Sequence, residues 1–347
     1  MKDRKTKIVY LEILRVIAIF GVLFCHTGYH GAHHYVMAEN PLNYWLGMFL
    51  VSVMQYCIPL FFMISGALLL KREESLTYVL KHRVVKMLIV IFFVVFMQYV
   101  WNYHKDPTIG FDLKTYFRLV YEGSAVSQHW FLYTYTSFLL VLPFLQKLVK
   151  SIQKKSWFLY LFLAYQFSTG ILPIIEYYQG WKASKFEIPL FADCIVLSFL
   201  GYYIAHCSED FFYKGENVAV LFLICIFAVG ETMYMNHLAL PETQLASFGE
   251  LFCALYALFL FVLVRYICYW WRMPGFVEKL FRFAGAGVFG TYLAEGILRD
   301  CLEPIYIALN TKIYSYPATF VWVFACVVVG VLVSNLIKRI PLVGKLI

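Results

Sequence analysis

The chain has 347 residues, of which 62% are hydrophobic and only 14% carry a charged side chain. Because about a quarter of the residues of a typical soluble domain are charged, this composition excludes a soluble globular protein and predicts that lipid covers most of the surface. A formal net charge of +8 is also found in nucleic-acid-binding proteins, but the distribution of these charges along the chain favours membrane topology instead.

The first apolar run is interpreted as an anchor that stays in the protein. It follows the basic segment MKDRKTK and lacks a small-residue cleavage site.

More apolar runs follow, each near the ~20 residues that cross a bilayer, with no visible repeat and no soluble appendage. The sequence therefore predicts an all-α, polytopic membrane protein with a single transmembrane domain over residues 1–347. About ten spans are predicted: 8–28, 44–70, 84–101, 129–149, 157–175, 188–206, 217–236, 248–271, 284–309 and 317–337.

Lys and Arg residues alternate between the two sides of these spans. Twenty-one of the 29 lie on the side of the N-terminus, six lie on the opposite side, and Arg15 and Arg299 lie within spans. Since cytoplasmic loops carry the excess of Lys and Arg, both termini are predicted to be cytoplasmic. The 102–128 connection is predicted to hold an interfacial or re-entrant segment.

The first span carries three ionisable residues, Glu12, Arg15 and His26. Arg15 and His26 are eleven residues apart, which is about three helical turns, so both point the same way about 16 Å apart along the axis. Glu12 lies one turn before Arg15 and is placed to pair with it. Ionisable groups inside a span usually face a protein interior or a functional pathway. The alternative is a structural Glu12–Arg15 clamp with an interfacial histidine.

Three sequence motifs resemble those of the acyltransferase-3 family. The run Leu11–Ala18 followed by His26 is similar to its N-terminal signature, in which an acidic residue, an Arg and, after ten intervening residues, a His occupy the first transmembrane helix. Pro59–Gly66 is similar to the second-helix motif, and His129–Leu132 with the later Leu142-Pro143 is similar to the WFL…P segment. The resemblance covers all ten predicted spans in number and order.

The chain departs from that family's usual residues at two positions. Glu12 stands where Asp is common, and Glu295 stands where members often carry His. The resemblance implies a membrane-bound O-acyltransferase of the bacterial cytoplasmic membrane. Its donor would be cytoplasmic acyl-CoA, usually acetyl-CoA, and its acceptor a hydroxyl of a cell-surface carbohydrate or a lipid-linked precursor. The expected partners are thus the lipid bilayer, acyl-CoA and the carbohydrate, with no nucleic acid; a homodimer is compatible with the sequence.

His26 is the predicted general base, since an imidazole exchanges protons near neutral pH, and an acyl-histidine intermediate stays open as an alternative. Arg15, with Glu12 beside it, completes the predicted catalytic group, and its guanidinium also suits the donor's phosphates or carbonyls. The other predicted donor-binding residues are Ser65, Arg72, Arg83 and Lys86. The alternative for these cations is that they only enforce topology, and Ser65-Gly66 is also expected to permit close helix packing.

The predicted acceptor-binding residues lie toward the outer ends of their spans: His129, Trp130, Asp193, Glu231 and Glu250. Acidic and aromatic side chains around a cavity suit the hydroxyls and rings of a sugar, although the acids would equally cap helices or pair locally. Glu295 and Arg299, spaced i,i+4, are expected to form an intramembrane ion pair.

Two other residue clusters carry no predicted site. His30, His33 and His34 lack a convincing fourth ligand, so no metal is expected, and most of the nine cysteines lie inside apolar runs, as buried small hydrophobic residues do. A transporter or flippase is the alternative function, and a scaffold without catalysis is a third. Transporters commonly show internal repeats and broken helices in both halves, and neither is clear in this sequence.

Overall fold

A computed structural model describes residues 6–123, 127–182, 193–207, 210–243, 245, 248–271, 273–312, 315–341 and 343–346. These residues form helices and no strand, which confirms the predicted all-helical fold. The helices are α1 (Thr6–Cys25), α2 (Pro41–Met54), α3 (Cys57–Leu69), α4 (Leu76–Val79), α5 (Val85–Lys105), α6 (Leu113–Glu122), α7 (Trp130–Ser151), α8 (Ser156–Gln166), α9 (Leu172–Gln179), α10 (Asp193–Tyr202), α11 (Gly215–Thr243), α12 (Cys253–Trp270), α13 (Gly275–Leu293), α14 (Glu295–Asn310) and α15 (Ser315–Ile337).

Seven helices in the described part of the chain are long and apolar enough to cross a membrane: Pro41–Leu69, Leu76–Lys105, Trp130–Ser151, Ser156–Gln179, Gly215–Leu240, Cys253–Trp270 and Ser315–Ile337. Each overlaps one predicted span. The span predicted at 188–206 corresponds to a shorter apolar helix, Asp193–His206, and its first residues lie outside the described ones. The total of ten spans and the orientation of the termini stay predictions.

The ninth predicted span, 284–309, is wrong as a single helix. The structure divides it at Ala294, whose φ of −100° and ψ of 5° lie outside the α-helical region, so α13 ends at Leu293 and α14 begins at Glu295. The sequence did not reveal this break, because no Pro marks it and Glu295 and Arg299 are also compatible with one continuous helix. After the break, the first residue of α14, Glu295, is fully buried in the protein interior.

Helix α1 is the central helix of the bundle. It packs against α3, α12, α13 and α15, and Leu14, Ala18, Ile19 and Leu23 are fully buried. Because protein surrounds this helix, its ionisable side chains face other helices, which makes them tolerable at membrane depth.

The 102–128 connection folds back along α5, in keeping with the predicted interfacial or re-entrant segment. The Tyr99 hydroxyl donates to the Gly110 carbonyl at 2.9 Å, and the Tyr116 hydroxyl of α6 donates to the Phe92 carbonyl at 2.9 Å. Helix α6 exposes Leu113, Phe117 and Tyr121 at i, i+4 and i+8, which is the pattern of a helix with one lipid-facing side.

Helices α3 and α10 meet with their backbones in contact. A Cβ atom at Gly66 would lie 1.8 Å from the Ser198 carbonyl oxygen, and one at Gly201 would lie 1.9 Å from the Met63 carbonyl oxygen. Small residues permit this distance between membrane helices. The close packing expected at Ser65-Gly66 is therefore confirmed.

We expect Gly66→Ala to destabilise the protein, because the new methyl group must push two backbones apart. The free energy of unfolding should fall by about 3 kcal/mol, as for an overpacked core, and thermal unfolding in detergent, followed by size-exclusion chromatography, measures the loss. Gly230→Ala is the matched control, since nothing lies within 4 Å of a Cβ at that helical position. Equal unfolding temperatures for the two variants would contradict the prediction.

Candidate active site

The Glu12–Arg15 pair predicted on α1 is formed. Arg15 Nη1 donates to both carboxylate oxygens of Glu12 at 2.9 Å. Helix α13 lies directly against this pair, because a Cβ at Gly285 would be 2.1 Å from Glu12 Oε2. A glycine is therefore needed at position 285 if the carboxylate is to keep its place beside Arg15.

One cavity of about 540 Å³ brings together all five residues predicted to bind a donor, Arg15, Ser65, Arg72, Arg83 and Lys86. It lies between α1, α3, α5, α7 and α13. Its other lining residues are Val22, Ile58, Phe61, Ile64, Leu68, Leu69, His82, Met87, Phe131, Tyr135, Leu139, Gly285, Ala286, Val288, Phe289, Tyr292 and Lys338. Sequence reasoning treated Lys338 only as a topology signal and did not single out His82. Five Lys and Arg side chains thus form a basic end of the cavity, and the Tyr135 ring lies within electrostatic reach of three of them.

Positive charge is crowded at the basic end. Burial, followed by the charges of Arg15 and Lys86, lowers the pKa of Lys338, which places these three cations within electrostatic reach of one another. An anion bound among them would relieve this repulsion.

Glu74 holds two of the cations in place, and sequence reasoning missed it. The Arg83 guanidinium donates to its two carboxylate oxygens at 2.6 and 2.7 Å, and Arg72 Nη1 lies 3.6 Å from it. The hydrogen bond from Arg83 keeps the pKa of the Glu74 carboxyl below its usual range. The buried side chain of Gln146 fixes the loop, accepting from the Glu74 amide at 3.2 Å and donating to the Leu69 carbonyl at 3.0 Å.

His26 lies just beyond α1, one turn after Val22 of the cavity wall, and it pairs with Glu295. The imidazole Nδ1 is 3.0 Å from the carboxylate, which is fully buried at the start of α14. An ionised carboxylate only accepts hydrogen bonds, so a neutral imidazole bonded to it would carry its proton on Nδ1 and keep the lone pair on Nε2. The N-terminal end of a helix also stabilises a carboxylate. The arrangement is that of a base held in one tautomer by an acid.

The ion pair predicted between Glu295 and Arg299 is not formed by these two residues, both of which the structure describes. Glu295 turns to His26, while Arg299 Nη1 donates to the backbone carbonyl of His26. The reason is that the helix break at Ala294 brings α14 against the C-terminal end of α1, whose last carbonyls have no helical partner. Glu295 Oε1 and Arg299 Nε are buried without a hydrogen-bond partner.

His129 joins this group from the turn that precedes α7. It is 2% exposed, its Nδ1 has no hydrogen-bond partner among the residues that the structure describes, and it lies within electrostatic reach of Glu295 and His26. The Tyr292 hydroxyl holds the turn by donating to the Gln128 carbonyl at 2.8 Å. A buried polar atom without a partner is uncommon, and here it lies beside the His26–Glu295 pair. The neighbouring Trp130 is half exposed.

Two of the three predicted acidic residues lie together. Asp193 accepts a hydrogen bond from the Tyr165 hydroxyl at 2.9 Å and lies close enough to Glu250 for the two carboxylates to interact. Glu231 lies on α11 beside Tyr178. Of the outer histidines, His30 pairs with Glu303 at 2.9 Å.

A family model described as "Acyltransferase domain" matches residues 8–339, nearly the whole chain. No curated protein and no solved structure matches the chain.

The basic cavity should concentrate anions, and a cysteine at Ser65 would report this. In a background with the exposed Cys301 replaced by Ser, we expect Ser65→Cys to react about tenfold faster with a sulfonate-bearing methanethiosulfonate than with a trimethylammonium one, because focused fields raise local ion concentration. Added salt should reduce the ratio by screening. Thr108→Cys, in an exposed turn beside the Asp106 carboxylate, is the control and should show no preference for the anion. A Ser65→Cys variant that reacts equally with both reagents would contradict the prediction.

Proposed function

Because the chain belongs to the acyltransferase-3 family, we propose that it transfers an acyl group from cytoplasmic acyl-CoA to a hydroxyl of a cell-surface carbohydrate or its lipid-linked precursor. Acetyl-CoA is the proposed donor, His26 is the general base, and the bacterial cytoplasmic membrane is the location. The hydrogen bond between His26 and Glu295 beside a cation-lined cavity is the observation that carries the proposal.

The charge of the cavity supports a polyanionic donor. Arg15, Arg72, Arg83, Lys86 and Lys338 line it, and the phosphates of CoA form charge-assisted hydrogen bonds with such groups. Glu12 pairs with Arg15 and Glu74 pairs with Arg83, so these two carboxylates neutralise only part of the positive charge. Positive charge is therefore left over for the donor.

The dimensions also suit this donor. Arg15 and His26 lie eleven residues apart along α1, a rise of about 16 Å, which is of the order of a pantetheine arm. With phosphates among the cations, the arm would follow the apolar and aromatic wall past Val22 and Tyr292, and the thioester would reach His26.

The transfer itself requires one base that later acts as an acid. His26 Nε2 takes the proton of the acceptor hydroxyl as its oxygen attacks the thioester carbonyl. The C–S bond of the resulting tetrahedral intermediate then breaks, and the departing thiolate takes the proton back from Nε2. Glu295 stabilises the imidazolium formed between these steps and keeps Nδ1 protonated. In this scheme the acyl group passes directly from the thioester to the acceptor, without an acyl-histidine intermediate.

In this proposal the acceptor carbohydrate binds on the outer side of the His26–Glu295 pair. The unpartnered Nδ1 of His129 is a position for a substrate oxygen, and the half-exposed Trp130 offers a ring for a sugar face. Asp193 and Glu250 supply carboxylates for sugar hydroxyls farther out.

We expect His26→Ala to reduce acetyl transfer by about 10²- to 10⁴-fold, the usual contribution of a general base. The measurement is transfer of labelled acetyl from acetyl-CoA to the glycan fraction, in membranes that hold equal amounts of inserted protein. His237→Ala is the matched control, because this histidine pairs with Tyr44 outside the cavity, and it should keep wild-type activity. Full activity in His26→Ala would refute the mechanism.

Glu295→Gln and Arg15→Ala should separate catalysis from donor binding. Glu295 contacts His26 and not the cavity, so Glu295→Gln should lower kcat by about 100-fold or more with an unchanged KM for acetyl-CoA. Arg15→Ala should mainly raise that KM, by about tenfold or more, through loss of a charged hydrogen bond. Steady-state kinetics on purified variants measures the split, and a raised KM in Glu295→Gln with normal kcat would contradict the assigned role.

A further inference from the structure

The segment from α4 into α5 carries two aromatic side chains that the proposed mechanism does not use. Leu80–Val84 forms a π-helical turn between the two helices, a feature often found at functional sites. Along this segment Tyr78, His82, Arg83 and Lys86 follow one another, and the last three line the cavity.

Tyr78 and His82 form a stacked pair. Their ring centroids are 4.5 Å apart with an interplanar angle of 20°, and His82 Nδ1 lies 3.2 Å from the Tyr78 carbonyl oxygen, which fixes the imidazole orientation. Both side chains are exposed. Tyr78 covers one face of the imidazole, and His82 is exposed and lines the cavity.

The order of residues along the segment gives this pair its position. Tyr78 lies eight residues before Lys86, a helical rise of about 12 Å, and does not itself line the cavity, so the ring pair lies at an edge of the cavity that we call its mouth. Arg83 and Lys86 follow farther along the same segment. On the other side of the cavity, Tyr292 lies 6.2 Å from His129 between ring centroids, and Phe131 packs against Tyr292 at 5.9 Å. The lining thus includes the stacked pair at one edge, cations next to it along the chain, and rings on the side of His129.

Acyl-CoA has the same order of chemical groups. Its adenine ring is followed by a phosphorylated ribose and a diphosphate, then by the pantetheine arm and the thioester. With the thioester at His26 and the phosphates among Arg72, Arg83 and Lys86, the adenine ring falls at the mouth.

Resting on the proposed function, we propose that Tyr78 and His82 form the binding subsite for the adenine ring of the acyl donor. The purine stacks on the face of His82 opposite Tyr78, in the manner of base stacking on aromatic side chains elsewhere. The subsite makes the protein selective for nucleotide-bearing thioesters over those that carry pantetheine alone.

The test is equilibrium binding to the full-length protein in detergent, with CoA and with 4′-phosphopantetheine, which lacks the nucleotide, as the two probes. His82→Ala and Tyr78→Ala should each weaken CoA binding by about 5- to 100-fold, the effect of losing a base stack, and leave the affinity for 4′-phosphopantetheine unchanged. His82→Phe keeps a ring and should restore CoA affinity. Phe276→Ala removes an exposed ring at the start of α13, outside the cavity, and is the matched control.

Unchanged CoA affinity in His82→Ala would overturn the subsite, and so would an equal loss for both probes, since that would reflect a disturbed cavity. The experiments distinguish an incorrect subsite from an incorrect proposed function. A protein that shows this binding pattern without transferring an acyl group keeps the subsite and refutes the function. A protein that transfers acetyl while its variants bind CoA normally places the adenine elsewhere.

Discussion

The fold is organised around one constraint, the need to surround a helix that carries charge. Helix α1 holds Glu12 and Arg15 at a depth where lipid would make each of them costly, and His26 follows at its end. Helices α2, α3, α12, α13 and α15 pack around α1, Arg15 pairs with Glu12 on α1 itself, and His26 pairs with Glu295 of α14. The close approach of α13 at Gly285 shows how far this packing depends on the absence of a side chain. The same enclosure lets hydrogen bonds act in a medium of low dielectric, which strengthens them.

Interruptions of regular helix bring polar groups into this interior. The break at Ala294 places the first turn of α14 against the end of α1, so that Glu295 and the Arg299 guanidinium meet His26. The π-helical turn at Leu80–Val84 likewise lies where the cavity opens. Irregular backbone is tolerated at membrane depth only where protein or a water-filled cavity surrounds it, and the break at Ala294 leads directly into the fully buried Glu295.

The cavity combines rigid positioning with uncompensated charge. Glu74 fixes Arg83 by two short hydrogen bonds, and Glu12 fixes Arg15 in the same way. These carboxylates orient the guanidinium groups without neutralising the cavity as a whole, since Lys86 and Lys338 also line it. The result is a preorganised, positively charged cavity, which would spare an anionic ligand part of the cost of ordering the side chains that bind it.

The sequence by itself determined the membrane class, the helical fold and the ionisable face of α1, because composition, apolar run length and helical periodicity are local properties. It also identified Arg15, Arg72, Arg83 and Lys86 of the cavity, but not Lys338, since charge in and near the ends of spans is visible without a structure. Only the tertiary structure decided which groups meet. Glu295 is 269 residues from His26 in sequence, and its spacing to Arg299 predicted a local pair that the turn at Ala294 redirects. The approach of Asp193 to Glu250 is likewise a tertiary contact, because periodicity fixes the face that a residue occupies and not the helix packed against it.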